Sequence, residues 1–225
     1  MDNTFEVRHL TRRYGKNRVL TDVTLTAVKG TCVGIAGRNG IGKSTLFRIL
    51  AGVDRPDSGR LTLFGRDLLK DRSAFGELIG YVPQTNPLLE ELTVRDNLRL
   101  WSGHPVTGDE ETVRALELQD ILKTRVSRLS GGMKRRLAIA CALANEPPVL
   151  IMDEPTAALD LYHRGIIYDY LDAFRARGGM IILSTHDIEE MQFSDRLYLI
   201  RDGAAEEATV EAAAAAIRRS KEIRR

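Results

Sequence analysis

Residues Gly37-Arg38-Asn39-Gly40-Ile41-Gly42-Lys43-Ser44 satisfy the spacing G-x-x-x-x-G-K-[ST] of a phosphate-binding loop. Glycines at this spacing let successive backbone N–H groups turn inward on an anion, and a helix start behind them adds partial positive charge. Lys43 is placed to reach the β- and γ-phosphates of a nucleoside triphosphate, and the Ser44 hydroxyl, with Thr45 beside it, to ligate Mg²⁺. A second pair of reactive groups, Asp153 and Glu154, closes the apolar run Val149-Leu150-Ile151-Met152. Two carboxylates at the end of a buried strand are unfavourable unless a cation or hydrogen bonds compensate them. The carboxyl edge of a parallel sheet is also where ligands bind in open α/β folds. Asp153 then reads as the acid on the Mg²⁺ side and Glu154 as the group that polarises an attacking water. The competing reading is an acid pair capping the next helix. His186, in Ser184-Thr185-His186-Asp187, follows another apolar run. Taken alone it fits a capping or core histidine; its place beside the other groups favours contact with a γ-phosphate.

The elements that must position these groups alternate. Residues 5–27 alternate in polarity around the turn residues Tyr14-Gly15-Lys16-Asn17, which predicts short antiparallel strands. Residues 32–36 predict a buried strand, and 44–51 place Leu46, Ile49 and Leu50 on one helix face. Short strands are expected at 61–64 and 79–82, a helical insert at about 86–134, and a helix at 135–145 before Pro147-Pro148. A fully apolar strand at 149–152, a helix ending at 177 before Gly178-Gly179, and strands at 180–183 and 197–200 complete the pattern. Strands alternating with helices predict an α/β fold with a mostly parallel sheet, an N-terminal antiparallel β subdomain and one helical insert, all within a single domain of 225 residues. Residues 204–225 carry no clear pattern beyond an alanine-rich stretch. From Glu206 the tail ends in Arg218, Arg219, Lys221, Arg224 and Arg225 and reads as a helix with a solvated basic end, a membrane-surface role being the weaker alternative.

Composition narrows the partners. The 33 basic and 31 acidic residues leave a net charge of +2, which gives no footprint for nucleic acid or an anionic membrane. Cys32 and Cys141 sit in apolar runs and read as buried thiols of a reducing, cytoplasmic setting. MDNTFEVRHL has no apolar core of a secretory leader, and no apolar run approaches the ~20 residues of a membrane span, so a membrane role is expected to come through a partner.

Between the phosphate loop and the acidic strand end lies Leu129-Ser130-Gly131-Gly132-Met133, a second anion-binding helix start. With it the chain resembles the ATP-binding cassette (ABC) ATPases from about residue 5 to 203, the motif matching their signature LSGGQ with Met133 in the last place. The resemblance implies a P-loop NTPase core that binds ATP with Mg²⁺ and hydrolyses it. It implies that Tyr14 stacks on adenine, although a plain hairpin-turn tyrosine fits as well. It implies that Gln84 joins Mg²⁺ (with Ser44 and Asp153) and the attacking water, that Asp160 crosses a dimer interface, and that His186 contacts the γ-phosphate. It further implies that the signature residues Ser130, Gly131 and Gly132 of one copy close the phosphate loop of another. The partners expected are therefore ATP, a second copy or a related ABC ATPase, and an integral membrane transporter subunit. The chain would sit peripherally on the inner face of the cell membrane.

Two departures stand out: Met133 for glutamine, and Ala158 where glycine is common before Leu159-Asp160. The run Met133-Lys134-Arg135-Arg136-Leu137 is similar to exporter-type rather than importer-type cassettes. The end near residue 225 implies no regulatory domain like that of some sugar importers. The leading expectation is an ATP-driven exporter motor. Its alternative is a soluble cassette acting as a mechanical switch on a non-transport partner, against which stands the short stretch from Gln84 to Ser130, with no room for a coiled-coil arm. A cassette that only binds ATP is disfavoured by the intact Lys43, Asp153, Glu154 and His186. Leu88, Leu89 and Leu92 fit either a groove for a helix of the membrane subunit or ordinary core positions.

Overall fold

The N-terminal alternation builds a long hairpin, β1 (Thr4–Tyr14) and β2 (Asn17–Val28), in the computed structural model, which describes residues 2–222. Phe5, Val7, Val23, Leu25 and Ala27 are buried at every second position, as in a sheet with one face on a core. These strands are longer than the short ones the sequence predicts. Register shifts after Val7 and Leu10, with His9 at φ 51°, let the hairpin bend without ending.

The fully buried β3 (Cys32–Ala36) runs into the phosphate loop and α1 (Lys43–Leu50). β4 (Ser58–Leu63) and β5 (Arg66–Asp67) extend the antiparallel part, and α2 (Ser73–Leu78) leads into β6 (Ile79–Val82). The next stretch carries α3 (Val94–Ser102), α4 (Glu111–Ala115), two 3₁₀ turns (Gln119–Ile121 and Val126–Arg128) and α5 (Gly131–Ala142). Then follow β7 (Val149–Asp153), α6 (Leu161–Ala176), β8 (Met180–Thr185), α7 (Ile188–Phe193), β9 (Arg196–Arg201), β10 (Ala204–Glu207) and α8 (Val210–Glu222).

All ten strands form one sheet in the order β5-β4-β1-β2-β10-β9-β3-β8-β7-β6. The five from β9 to β6 are mutually parallel, and the N-terminal part is antiparallel. The two parts meet at the single pairing Ala204↔Asp22. The tail therefore begins as a strand, not the helix expected there, and its helix starts only at Val210. Arg218 is exposed, and Arg224 and Arg225 lie outside the described residues.

The parallel strands separate two cores. Val33, Ile35, Ile151 and Ile182 face the core shared with β1, β2 and α1. Leu150, Met152, Ile181 and Leu183 face the core shared with α3, α5 and α6. Burial on both faces is why these strands read as unbroken apolar runs. Side chains cap the starts of two helices, α5 at the signature read as a helix start and α6 well ahead of its buried middle. Ser130 Oγ accepts from Met133 N (3.2 Å) to open α5, and Asp160 Oδ1 accepts from His163 N (2.9 Å) to open α6. Burial pushes the Cys32 and Cys141 thiols up to about 12, and neither forms a disulfide.

Candidate active site

Strand register sets the site. Ala36 pairs with Thr185, Asp153 with Ser184, and Val82 with Met152. Gly37, His186, Glu154 and Gln84 each follow within two residues, so four loops leave the same sheet edge side by side. Gly42 opens α1 at φ 116°, where a Cβ would come 2.8 Å from Val19 Cγ1; only glycine lets the hairpin approach the loop this closely. Arg38 is half-buried, Asn39 and Gly40 are exposed, and Ile41 packs against the first core. Ser44 is exposed and Thr45 half-buried at the start of α1.

The Glu154 carboxylate, 8% exposed, is the hub. Lys43 Nζ stands 3.5 Å and His186 Nδ1 3.2 Å from its Oε1, and Gln84 Nε2 donates to Oε2 at 3.1 Å. Lys43 Nζ also donates to the carbonyls of Gly37 (2.9 Å) and Arg38 (3.2 Å). Burial lowers the Lys43 pKa from its ordinary value, and Glu154 opposes that shift. The Asp153 carboxylate, 2% exposed, accepts from Ser184 Oγ. Glu154 itself sits at φ 50°, a left-handed conformation that costs a non-glycine residue on the order of 1–3 kcal/mol. The structure brings Lys43, Gln84 and His186 together on Glu154, with Asp153 next to it at the end of β7.

A second cluster forms around the signature. Ser130 and Gly131 are exposed at the α5 N-terminus, whereas Gly132 is buried under the His163 ring. A Cβ on Gly132 would lie 2.3–2.8 Å from that ring. His163 Nδ1 faces Asp160 Oδ1 at 2.7 Å, so signature and Asp160 form one unit. Ala158 adopts φ 59°, which explains why glycine suits that place. Among the described residues no hydrogen bond or ion pair links Ser130, Gly131, Gly132 or Asp160 to Lys43 or Glu154. Tyr14 also stands apart: its hydroxyl donates to Asp54 (3.2 Å), and the Arg12 guanidinium lies 4.7 Å over its ring.

Two buried charges beside the Glu154 turn, Arg135 and Glu190, belong to none of the site motifs read from the sequence. Arg135, 5% exposed, donates to the carbonyls of Pro83, Asp153, Glu154 and Pro155 and to Asn86 Oδ1. Glu190, 2% exposed, accepts from Thr156 N (3.0 Å) and Oγ1 (2.6 Å). The only sequence signal for either was a charge on the apolar side of a helix.

Hard oxygen donors suit Mg²⁺, and Ser44, Asp153 and Gln84 supply a hydroxyl, a carboxylate and an amide oxygen. Among the described residues no cluster of three or more His, Cys, Asp or Glu could cage a metal. This donor set thus fits an ion completed by water and phosphate oxygens.

A strand, a glycine loop and a helix start, with a carboxylate at the tip of a parallel strand in the same sheet, define a P-loop nucleotide-binding fold. The family model described as ABC transporter matches residues 20–157, and the chain belongs to that family. It is 39% identical over 200 residues to a Nod factor export ATP-binding protein I of Rhizobium sp. (strain N33), covering 85% of this chain and 66% of the relative. A protein of the same name from Mesorhizobium japonicum is 39% identical, with 86% and 59% covered. The chain thus spans about two thirds or less of the length of these relatives. Its fold matches a solved structure described as an ATP binding subunit of an ABC transporter, at TM-score 0.81 and 30% identity, over 98% of this chain and 94% of that one. It also matches the dimeric post-hydrolysis cassette MJ0796 bound to ADP and Pi, at TM-score 0.81 and 27% identity, over 92% and 98%.

Proposed function

We propose that this chain binds ATP with Mg²⁺, hydrolyses it between two cassettes, and drives an exporter through a separate integral membrane subunit on the cytoplasmic face. The observation that carries the reading is the convergence of Lys43, Gln84 and His186 on the buried Glu154 carboxylate, at the edge from which the phosphate loop emerges. Lys43 swings from the Gly37 and Arg38 carbonyls to the β- and γ-phosphates, which frees the Glu154 carboxylate to accept a proton from water. Gln84 and His186 hold that carboxylate from either side and orient the water against the γ-phosphate. Mg²⁺ held by Ser44, Asp153 and Gln84 supplies charge neutralisation on the phosphates. Tyr14 stacks on the base once Arg12 leaves its ring.

The exposed Ser130-Gly131 helix start is an anion site that, among the described residues, no hydrogen bond or ion pair ties to Lys43 or Glu154 of its own chain. It serves the phosphates held by Asn39 and its neighbours in a second cassette, a copy or a relative, and Asp160 crosses with it. The names of the relatives support the exporter assignment. No helix among the described residues is long and apolar enough to cross a membrane.

Lys43→Ala removes a direct phosphate contact. It is expected to weaken ATP binding at least tenfold, about 1.4 kcal/mol, measured with a fluorescent ATP analogue. Unchanged affinity in the folded variant removes Lys43 from the site.

A further inference from the structure

The turn that carries Glu154 is held by groups that touch neither phosphate nor water. Its carbonyls point to one side and its amides to the other. On the carbonyl side lies Arg135, from the second turn of α5. Its Nε donates to Pro155 O at 2.9 Å, and Nη2 to Asp153 O at 2.7 Å and Glu154 O at 3.0 Å. Its Nη1 donates to Pro83 O at 2.6 Å and Asn86 Oδ1 at 3.3 Å, on either side of Gln84 in sequence. All five N–H donors of the guanidinium are engaged, a pattern no other side chain could reproduce. On the amide side, Glu154 N donates to Ser184 Oγ (3.0 Å), and Thr156 N to the buried Glu190 of α7.

Burial opposes both charges. It lowers the Arg135 pKa to about 10 and raises that of Glu190. A buried ion is strongly unfavourable unless its hydrogen bonds are met, and an apolar side chain would fill the same volume without that penalty. What the charges achieve is a backbone geometry: Glu154 is kept at φ 50°, a conformation that persists only where its surroundings over-determine it.

We propose that Arg135 is a positioning residue for hydrolysis: it clamps the Glu154 turn and the Gln84 loop to the signature helix, with Glu190 bracing the turn from the opposite side. This rests on Glu154 being the group that activates water. Because Arg135 lies one helical turn from Ser130 and Gly132, a displacement of the signature is transmitted to the Glu154 backbone and to the Gln84 loop through one rigid side chain. Among the described residues no hydrogen bond joins Arg135 to Lys43 or to residues 37–44, so binding and turnover respond to it separately.

The test compares Arg135→Lys and Arg135→Gln with the parent and with Glu154→Gln, at temperatures below each variant's melting point. Lysine keeps the charge and loses the fork; glutamine keeps two donors and loses the charge. Both are expected to lower kcat about 100-fold, the effect of a misplacement of roughly 1 Å at a reacting group, with the ATP Kd changed less than about twofold. Gln84→Ala is then expected to lower kcat further in the parent, but much less in Arg135→Gln, because the two act through one loop. Parental kcat in either folded Arg135 variant overturns the proposal. So does a loss of ATP affinity in step with kcat, or failure of both variants to fold, since each makes Arg135 a residue of the fold alone. If Glu154→Gln hydrolyses ATP like the parent, it is the site reading that fails, and the clamp with it.

Discussion

Gly132 shows how closely single residues are fitted at the signature. The His163 ring occupies the space a Cβ would need, and the same ring faces Asp160. Gly132→Ala must push the ring aside or shift the start of α5, an overpacking effect of about 1–3 kcal/mol. Its melting temperature should fall, and Gly132→Ala combined with His163→Ala should recover much of the loss. A parental melting temperature for Gly132→Ala alone would show that the ring is not held there.

Asp153, Glu154 and His186 could be read from the sequence because each sits at or just past the end of a strand whose apolar run announces it, and Lys43 because the glycine spacing ahead of α1 does. Arg135 could not. Its acceptors are the backbone carbonyls of Pro83, Asp153, Glu154 and Pro155, distant in sequence and of no particular residue type. Ala158 lies between: a departure from the family pattern in sequence, it becomes a left-handed residue in the structure.

Helices α3 and α6 begin on side-chain caps, and their starts should be pH-sensitive. Asp96 closes a capping box with Thr93, whose side chain lowers its pKa below 3.8. Asp160 is lowered below 3.8 by the backbone N–H and ring of His163. A carboxyl with a depressed folded-state pKa adds stability that is present above the unfolded value and lost as pH falls through the folded one. Amide protection in the first turns of α3 and α6 should therefore hold down to about pH 4 and decline below it. Asp160→Asn, which keeps a capping side chain, and Asp96→Asn, which removes the titrating group at N3, should flatten that decline; an unaltered profile would place its cause elsewhere.

Capping also fixes where helices begin. Apolar periodicity locates the buried middle of a helix, whereas Ser130 and Asp160 set where α5 and α6 begin. β10 escaped notice because Ala204-Ala205-Glu206-Glu207 has no strand pattern; it is a strand because β9 and β2 flank it.

For the whole molecule, the surface after Gln84 divides leucines that the sequence could not separate. Leu88 packs against the second core, while Leu89 is 55% exposed. Buried Asn97 holds Leu89 through both backbone groups, accepting from its N–H (2.9 Å) and donating to its carbonyl (3.0 Å). An apolar side chain on so rigid a mount suits docking of the membrane subunit proposed above. Leu89→Asp should keep the melting temperature and the ATPase activity of the isolated chain while abolishing co-purification with that subunit. Loss of thermal stability would return Leu89 to the core.

Hydrolysis as proposed requires one site built from two cassettes, with Glu154 the group that ends its lifetime. The most direct measurement is light scattering on Glu154→Gln with ATP and Mg²⁺, alongside its phosphate release. An amide cannot take a proton from water, so turnover should fall below detection while ATP stays bound. The trapped nucleotide should then hold two copies together, a dimer that appears with ATP and dissolves when ATP is removed. Parental hydrolysis by Glu154→Gln, or a folded, ATP-bound variant that stays monomeric at every concentration, would contradict it.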